Sequence, residues 1–245
     1  MRTFPFVVCF ALLASANAHA DILGTAQNFA VLGGSAVTNT GPSVIAGDLG
    51  VWAGNAITGF PPGSVNGTIH AGDAVAQQAQ SDVTTAYNAL AGLAMTQNLT
   101  GTDLGGLTLT AGVYFFSSSA FLTGNLILDA QGDPNAQFVF QIGSTLITAS
   151  NSSVQVINSG DACDVYWQVG SSATLGTDTA FQGNILALAS ITMNTRATLV
   201  EGRALARTGA VTLDSNTITA GCIPAPATSM LAMMGVGGLL LRKRR

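Results

Sequence analysis

Thr179-Ala-Phe-Gln-Gly183, Thr198-Leu-Val-Glu-Gly202 and Thr217-Ile-Thr-Ala-Gly221 repeat one pattern near the end of the main body of the chain. Their first residues lie 198 − 179 = 19 and 217 − 198 = 19 apart. A second threonine column, Thr174, Thr192 and Thr212, runs beside the first at steps of 18 and 20. A repeat of about twenty residues, with short apolar runs and small polar corners, is the pattern of a solenoid. Equivalent residues on neighbouring coils then stack about 4.8 Å apart, the spacing between strands of a sheet.

Alternation assigns faces, because successive strand residues point to opposite sides. Ala173 and Leu175, Ile191 and Met193, and Val211 and Leu213 flank the second column and are expected inside, with Thr174, Thr192 and Thr212 outside. Likewise Ala180, Leu199 and Ile218 are expected inside and Thr179, Thr198 and Thr217 outside, with Gly183, Gly202 and Gly221 at the corners. A third side differs. Phe138-Val-Phe140, Val165-Tyr-Trp167, Ile185-Leu-Ala-Leu188 and Ala204-Leu-Ala206 are apolar at consecutive positions, which requires both faces to be covered. Val75, Ala79, Val83, Ala86, Leu90 and Leu93 supply the cover, a helical stripe over residues 74–95 with Asp73 as N-cap. Residues 22–70 read as further coils, and residues 96–106 as a long crossover. The fold class is therefore an all-β parallel solenoid with one long helix alongside.

Three segments follow from composition. Residues 1–20 read as a secretory signal, with an apolar run and the small-residue site Ala18-His19-Ala20. Residues 21–222 form the main domain. In residues 223–245, the Pro224-Ala225-Pro226 turn precedes an apolar run too short to span a bilayer comfortably, then Arg242-Lys243-Arg244-Arg245. That tail reads as a sorting signal or a marginal anchor, touching the membrane transiently in the first case. The main domain holds all twelve acids and only Arg196, Arg203 and Arg207, so 3 − 12 = −9. Such a body repels phosphate and is a poor partner for nucleic acid. Cys163 and Cys222 invite a disulfide in an exported chain. Their separation of 222 − 163 = 59 residues is close to three coils, so a bond requires the end of the domain to fold back.

Catalytic and cofactor chemistry finds little support. His70 is the one histidine of the domain, beside Asp73 at the helix entrance, and it reads as a hydrogen-bonded structural group rather than a base. Asp129-Ala-Gln-Gly-Asp133 reads as a polar turn, since a calcium loop needs alternating oxygen ligands and a terminal Glu. Arg203 and Arg207 lie on the side the helix covers, where ion pairs with Asp82 or Asp164 are expected. No metal or cofactor is expected, and the protein reads as a non-enzyme.

Five strings stand out: Phe29-Ala-Val-Leu-Gly-Gly-Ser-Ala-Val-Thr-Asn-Thr-Gly-Pro42, Gly67-Thr-Ile-His-Ala-Gly-Asp73, Leu107-Thr-Leu-Thr-Ala-Gly-Val-Tyr114, Phe138-Val-Phe-Gln-Ile-Gly-Ser144 and Val165-Tyr-Trp-Gln-Val-Gly-Ser-Ser-Ala-Thr-Leu-Gly-Thr177. With Gly183-Asn-Ile-Leu-Ala187 and Gly202-Arg-Ala-Leu-Ala-Arg207, they resemble the microbial ice-binding-like family across about residues 22–220. The resemblance implies a right-handed β-solenoid with a parallel helix, and an exported protein that adsorbs to ice through a flat, threonine-rich face. Stacked threonines suit that role, since their rows approach the spacing of oxygen rows in ice while methyls limit competing hydration. The family's ice-contacting motif resembles Thr, then Ala or Gly, then any residue, then Thr or Asn. Thr148-Ala-Ser-Asn151 fits it, and Thr195-Arg-Ala-Thr198 departs at Arg196. Joining motif to column gives Thr148, Asn151, Thr177, Thr179, Thr195, Thr198 and Thr217 as the expected ice-contacting residues. The tail resembles the Pro-Glu-Pro sorting signal of Gram-negative proteins exported with extracellular polysaccharide, with Ala225 in the glutamate position. It implies sorting machinery and matrix polysaccharide as partners, and a place outside the cell, at its surface or in a biofilm matrix. A matrix or adhesion protein remains the main alternative, and a polysaccharide-active enzyme a weaker one.

Overall fold

Among the described residues, twenty-two short strands and one long helix make up just over half. The computed structural model describes residues 22–221, so the expected signal (residues 1–20), the tail (223–245) and Cys222 lie outside the described residues. Among the described residues every strand pairing is parallel, and each coil turns through three sides. This is the parallel β-solenoid with one helix that the periodicity predicts.

The helix side stacks Gln97–Asn98, Gly112–Phe116, Phe138–Ile142, Val165–Val169, the later halves of Ala180–Ala187 and Thr198–Ala206, then Phe29–Gly33, Asp48–Val51 and Ile69–Ala71. The stack does not follow chain order. The chain begins near one end with the coils of residues 29–71, and the helix Ala74–Ala91 carries it to the far end. From there the coils wind back until Thr198–Ala206 meets Phe29–Gly33. The expected crossover at 96–106 is instead the terminal coil: Gln97–Asn98 pairs with Gly112–Phe116, and Asp103 bridges Phe121.

Continuous apolarity on this side has the expected cause. Val139, Tyr166, Leu186 and Leu205 point outward and are buried with Ala76, Ala79, Val83, Ala86, Tyr87 and Leu90 of the helix. Polar ties fix the packing: Gln80 Nε2 donates to Ala206 O at 2.9 Å, and Gln141 Nε2 to Leu90 O at 2.7 Å. Asp73 caps the helix as expected, its Oδ1 accepting from Ala76 N at 2.9 Å. The helix is shorter than the predicted 74–95 and ends at Gly92, and Val75 and Leu93 from the predicted stripe are exposed. Ala76, Gln80 and Tyr87 complete the buried face in their place.

On the inside, Phe138, Phe140, Val165 and Trp167 stack coil upon coil. The Tyr114, Phe140 and Trp167 rings follow at 5.3 and 3.9 Å, and Phe181 tilts against Trp167 at 4.9 Å. Each such pair contributes about 0.5–1.5 kcal/mol beyond its buried area.

Among the three arginines, Arg203 is buried and binds Gln27 O, Asn184 Oδ1 and Gly221 O at 2.8, 2.8 and 2.6 Å. Arg207 lies over the Tyr87 ring at 4.4 Å and reaches Thr84 Oγ1 at 3.4 Å. Asp82 is not the arginine partner expected for it, because it accepts instead from Thr25 N and Oγ1 and from Gln78. Cys163 is disulfide-bonded, and its expected partner Cys222 lies outside the described residues. Asn184 Nδ2 donates to Cys163 O at 2.8 Å, so Cys163, Asn184, Arg203 and Gly221 are tied together along successive coils.

Candidate functional site

The side opposite in character to the helix side is a seven-stranded sheet. Its strands run Ala120–Leu122, Leu146–Thr148, Ala173–Leu175, Ile191–Met193, Val211–Asp214, Ala36–Thr40 and Ala56–Thr58, all parallel and without a register shift. Small or apolar residues such as Ala173, Leu175, Ile191, Met193, Val211 and Leu213 point inward and are buried. Between them, Thr174 aligns with Thr192, Thr192 with Thr212, Thr212 with Thr38, and Thr38 with Thr58. Five threonines thus form one outward column at about 4.8 Å steps. Thr38 Oγ1 lies 3.4 Å from Thr212 Oγ1. β-Branching restricts χ1, so the hydroxyls and methyls are held in few orientations before any partner arrives.

The expected column Thr179, Thr198, Thr217 is not one column. Ala180 aligns with Thr198, a step of 198 − 180 = 18, while Thr198 aligns with Thr217, a step of 19. Thr179 therefore occupies the inward position of Ala197 and is fully buried, and Ala180 faces out, the reverse of the expectation. Thr148 is 3 % exposed and also points in. The two hydroxyls bond each other at 2.9 Å, Thr148 Oγ1 accepts from Gly176 N, and Thr179 Oγ1 donates to Ala149 O. Neither side chain is available to an external surface.

Thr177 and Thr195 lie at the corner beyond the threonine column. Backbone N–H groups of Asn151, Asp178, Arg196 and Ser215 donate to Thr177 O, Thr195 O, Asp214 O and Thr40 O at 2.9–3.1 Å, so the corner is itself a ladder. All four donors have left-handed φ of 55–60°. Asn and Asp tolerate that region best, and Arg196 enters it at a steric cost. Its side chain lies along the corner: Nε and Nη2 donate to Asp178 Oδ1 and Oδ2 at 2.7 and 2.6 Å. These hydrogen bonds hold the Asp178 carboxyl below its ordinary value. Thr195 Oγ1 donates to Asp214 Oδ2 at 2.5 Å. Thr198 and Thr217 stack on the remaining side, next to Val44 and Ser64. The seven expected residues are thus divided between the interior, a corner and the third side.

Thr38 and Thr58 escaped the sequence reading, yet their signal is present. Ala36-Val-Thr38, Ala56-Ile-Thr58, Ala210-Val-Thr212 and Ser190-Ile-Thr192 share a small residue, an inward aliphatic and an outward threonine.

Among the described residues, the titratable groups serve local structure. His70 Nδ1 meets Asp73 Oδ2 at 2.7 Å, and its ring tilts against Phe29 at 5.4 Å, at the helix entrance as expected. Asp48, Asp103, Asp129, Asp133 and Asp161 accept backbone N–H groups in turns and corners. Among the described residues, no three of His, Cys, Asp and Glu converge to hold a metal ion.

The family model for ice-binding-like proteins matches residues 31–219. An ice-binding protein of Nostoc sp. (strain HG1) is 61% identical over 226 residues, covering 89% of this chain and 83% of its own. A crystal structure of an ice binding protein from an Antarctic biological consortium superposes with a TM-score of 0.78 at 52% identity, covering 80% of this chain and 89% of that one. The ice-binding protein of the Antarctic ascomycete Antarctomyces psychrotrophicus gives a TM-score of 0.79 at 44% identity, covering 82% and 98%. The family match and these relatives agree, and the chain belongs to the ice-binding-like family.

Proposed function

We infer that the protein binds ice, and that it does so through the seven-stranded side carrying Thr174, Thr192, Thr212, Thr38 and Thr58. The observation that carries the assignment of the face is the unbroken register of that column over five coils. Hydroxyls recur at about 4.8 Å along the solenoid, and outward residues along a strand recur at about 6.6–6.8 Å, twice the rise per residue. Methyls between the hydroxyls limit competing hydration, so a few anchored waters adopt the pattern of a crystal plane. The ladder beneath and the stiff χ1 angles reduce the ordering cost on adsorption. The protein acts outside the cell without catalysing a reaction. The disulfide at Cys163 fits an oxidising compartment, and the acids serve as turn acceptors rather than as a converging pair. Matrix polysaccharide and sorting machinery engage the protein through the tail.

Adsorption to growing ice tests the function. The purified protein is expected to enter a slowly growing ice hemisphere, facet seed crystals and block recrystallisation. Exclusion from the ice with smooth, round crystals overturns the reading.

A further inference from the structure

The seven-stranded sheet continues past its last threonine. Thr174 aligns with Ile147, Ile147 with Phe121, and Phe121 bridges Asp103. The outward column therefore reads Thr58, Thr38, Thr212, Thr192, Thr174, Ile147, Phe121. The backbone beneath does not change: Ala120, Leu122 and Leu146 fill the same inward positions and are fully buried. The neighbouring hydroxyls also persist, with Ser119 and Thr145 bonded at 2.7 Å on adjacent coils. What changes is the chemistry of the central row. Phe121 is 47% exposed and Ile147 38% exposed, and neither offers a hydroxyl. Phe121 and Ile147 face each other across neighbouring strands and together interrupt the row of outward threonines.

We propose that Phe121 and Ile147 mark the edge of the ice-contacting area, the Phe121 ring holding that end of the sheet off the crystal plane that the five threonines meet. This rests on the assignment of ice contact to the seven-stranded side. A ring is longer than a threonine side chain and carries no hydroxyl to anchor water, so the two coils carrying Phe121 and Ile147 cannot share a plane with the other five. Beyond the ring, the carboxylate of Asp103 accepts from Gly105 N and Thr123 N, a charged group that retains water at the end of the sheet. The boundary is thus set by two side chains and not by the architecture.

The test is the double substitution Phe121→Thr with Ile147→Thr, beside Phe121→Ala alone, in the purified protein. Thermal hysteresis at fixed concentration is expected to rise in proportion to the rows in contact, seven against five, about 1.4-fold if adsorption scales with contact area. Phe121→Ala is expected to give part of that rise by removing the ring. Circular dichroism and melting temperature confirm that each variant keeps the fold. Unchanged or lower hysteresis in both folded variants overturns the boundary, a fall meaning that the apolar pair itself contacts ice. Adding Thr192→Tyr separates the two claims. Loss of activity in that background leaves the face assigned whatever the double variant does, and retained activity overturns the face on which the boundary rests.

Discussion

The seven-stranded side and the third side are made by the same coils, yet one is a lattice and the other is not. Coil lengths vary widely, with 173 − 146 = 27 residues between Leu146 and Ala173 and 191 − 173 = 18 between Ala173 and Ile191. The seven-stranded side ignores that variation and keeps its register throughout. The third side absorbs much of it. Ser153–Ile157 pairs with Ala180–Ala187 at a single position, Ser153 with Ala180, and then diverges. Val156 N turns to a side chain, Gln182 Oε1, at 2.8 Å. A register shift follows between Gln182 and Asn184, at the corner where Gly183 has a φ of 99°. A Cβ on Gly183 would meet the Val165 side chain at 2.7 Å, so the bend there needs glycine. Outward residues on the third side are correspondingly mixed: Asn125, Ser153, Ala180, Thr198, Thr217, Val44 and Ser64. A solenoid keeps one face flat by sending its insertions elsewhere.

The contrast between inward and outward threonines gives the largest expected effect on stability. Thr179→Val removes a buried hydroxyl and leaves the Thr148 hydroxyl without that partner, at a cost of about 1–3 kcal/mol. Thr198→Val, on the third side, is expected to stay within about 0.5 kcal/mol. Denaturant midpoints of the two variants measure the difference, and equal midpoints would place Thr179 at the surface after all.

The corner between the two sides gives a smaller one. Arg196→Gly removes a side chain from a left-handed position, where non-glycine residues pay about 1–2 kcal/mol, and releases Asp178. Ice activity is expected to stay level or rise, because Arg196 lies along Asp178 outside the threonine column and is 61% exposed. A clear fall in hysteresis with unchanged stability would make the corner part of the contact.

Acid gives the smallest and most diffuse effect. Asp73 is lowered by the Ala76 N–H and by His70, and Asp178 by Arg196. Both folded values lie below the ordinary 3.8, so their contribution is present above that pH and lost as pH falls through the folded values. Melting temperature is expected to hold steady from pH 7 to about 5 and to decline below about 4. A fall centred near neutrality would point to another group.

Much of the architecture was legible because burial sets local patterns. Doubly apolar strands such as Val165-Tyr-Trp167 announced a covered side, and Asp73 with the stripe from Ala79 to Leu90 announced the helix that covers it. Register was harder to read. Thr179, Thr198 and Thr217 are evenly spaced, but bulky inward residues set the winding: Phe181 aligns with Leu199 and Leu199 with Ile218, at steps of 18 and 19. Following Phe181 instead of the threonines would have turned Thr179 inward. Thr38 and Thr58 were hidden for another reason, since the first coils of the chain stack after the last ones and no sequence spacing reports that junction. The helix ends also misled, because Val75 and Leu93 continue the periodicity beyond the part that packs.

The central claim is that ice meets the seven-stranded side and not the third side. Partition of fluorescently labelled protein into a growing ice hemisphere, compared between Thr192→Tyr and Thr198→Tyr, tests it most directly. Both positions are solvent-facing, so both variants are expected to fold. Thr192→Tyr is expected to be excluded from the ice while Thr198→Tyr enters it like the unaltered protein. Exclusion of Thr198→Tyr with normal uptake of Thr192→Tyr would contradict the account and move the ice-binding face to the third side.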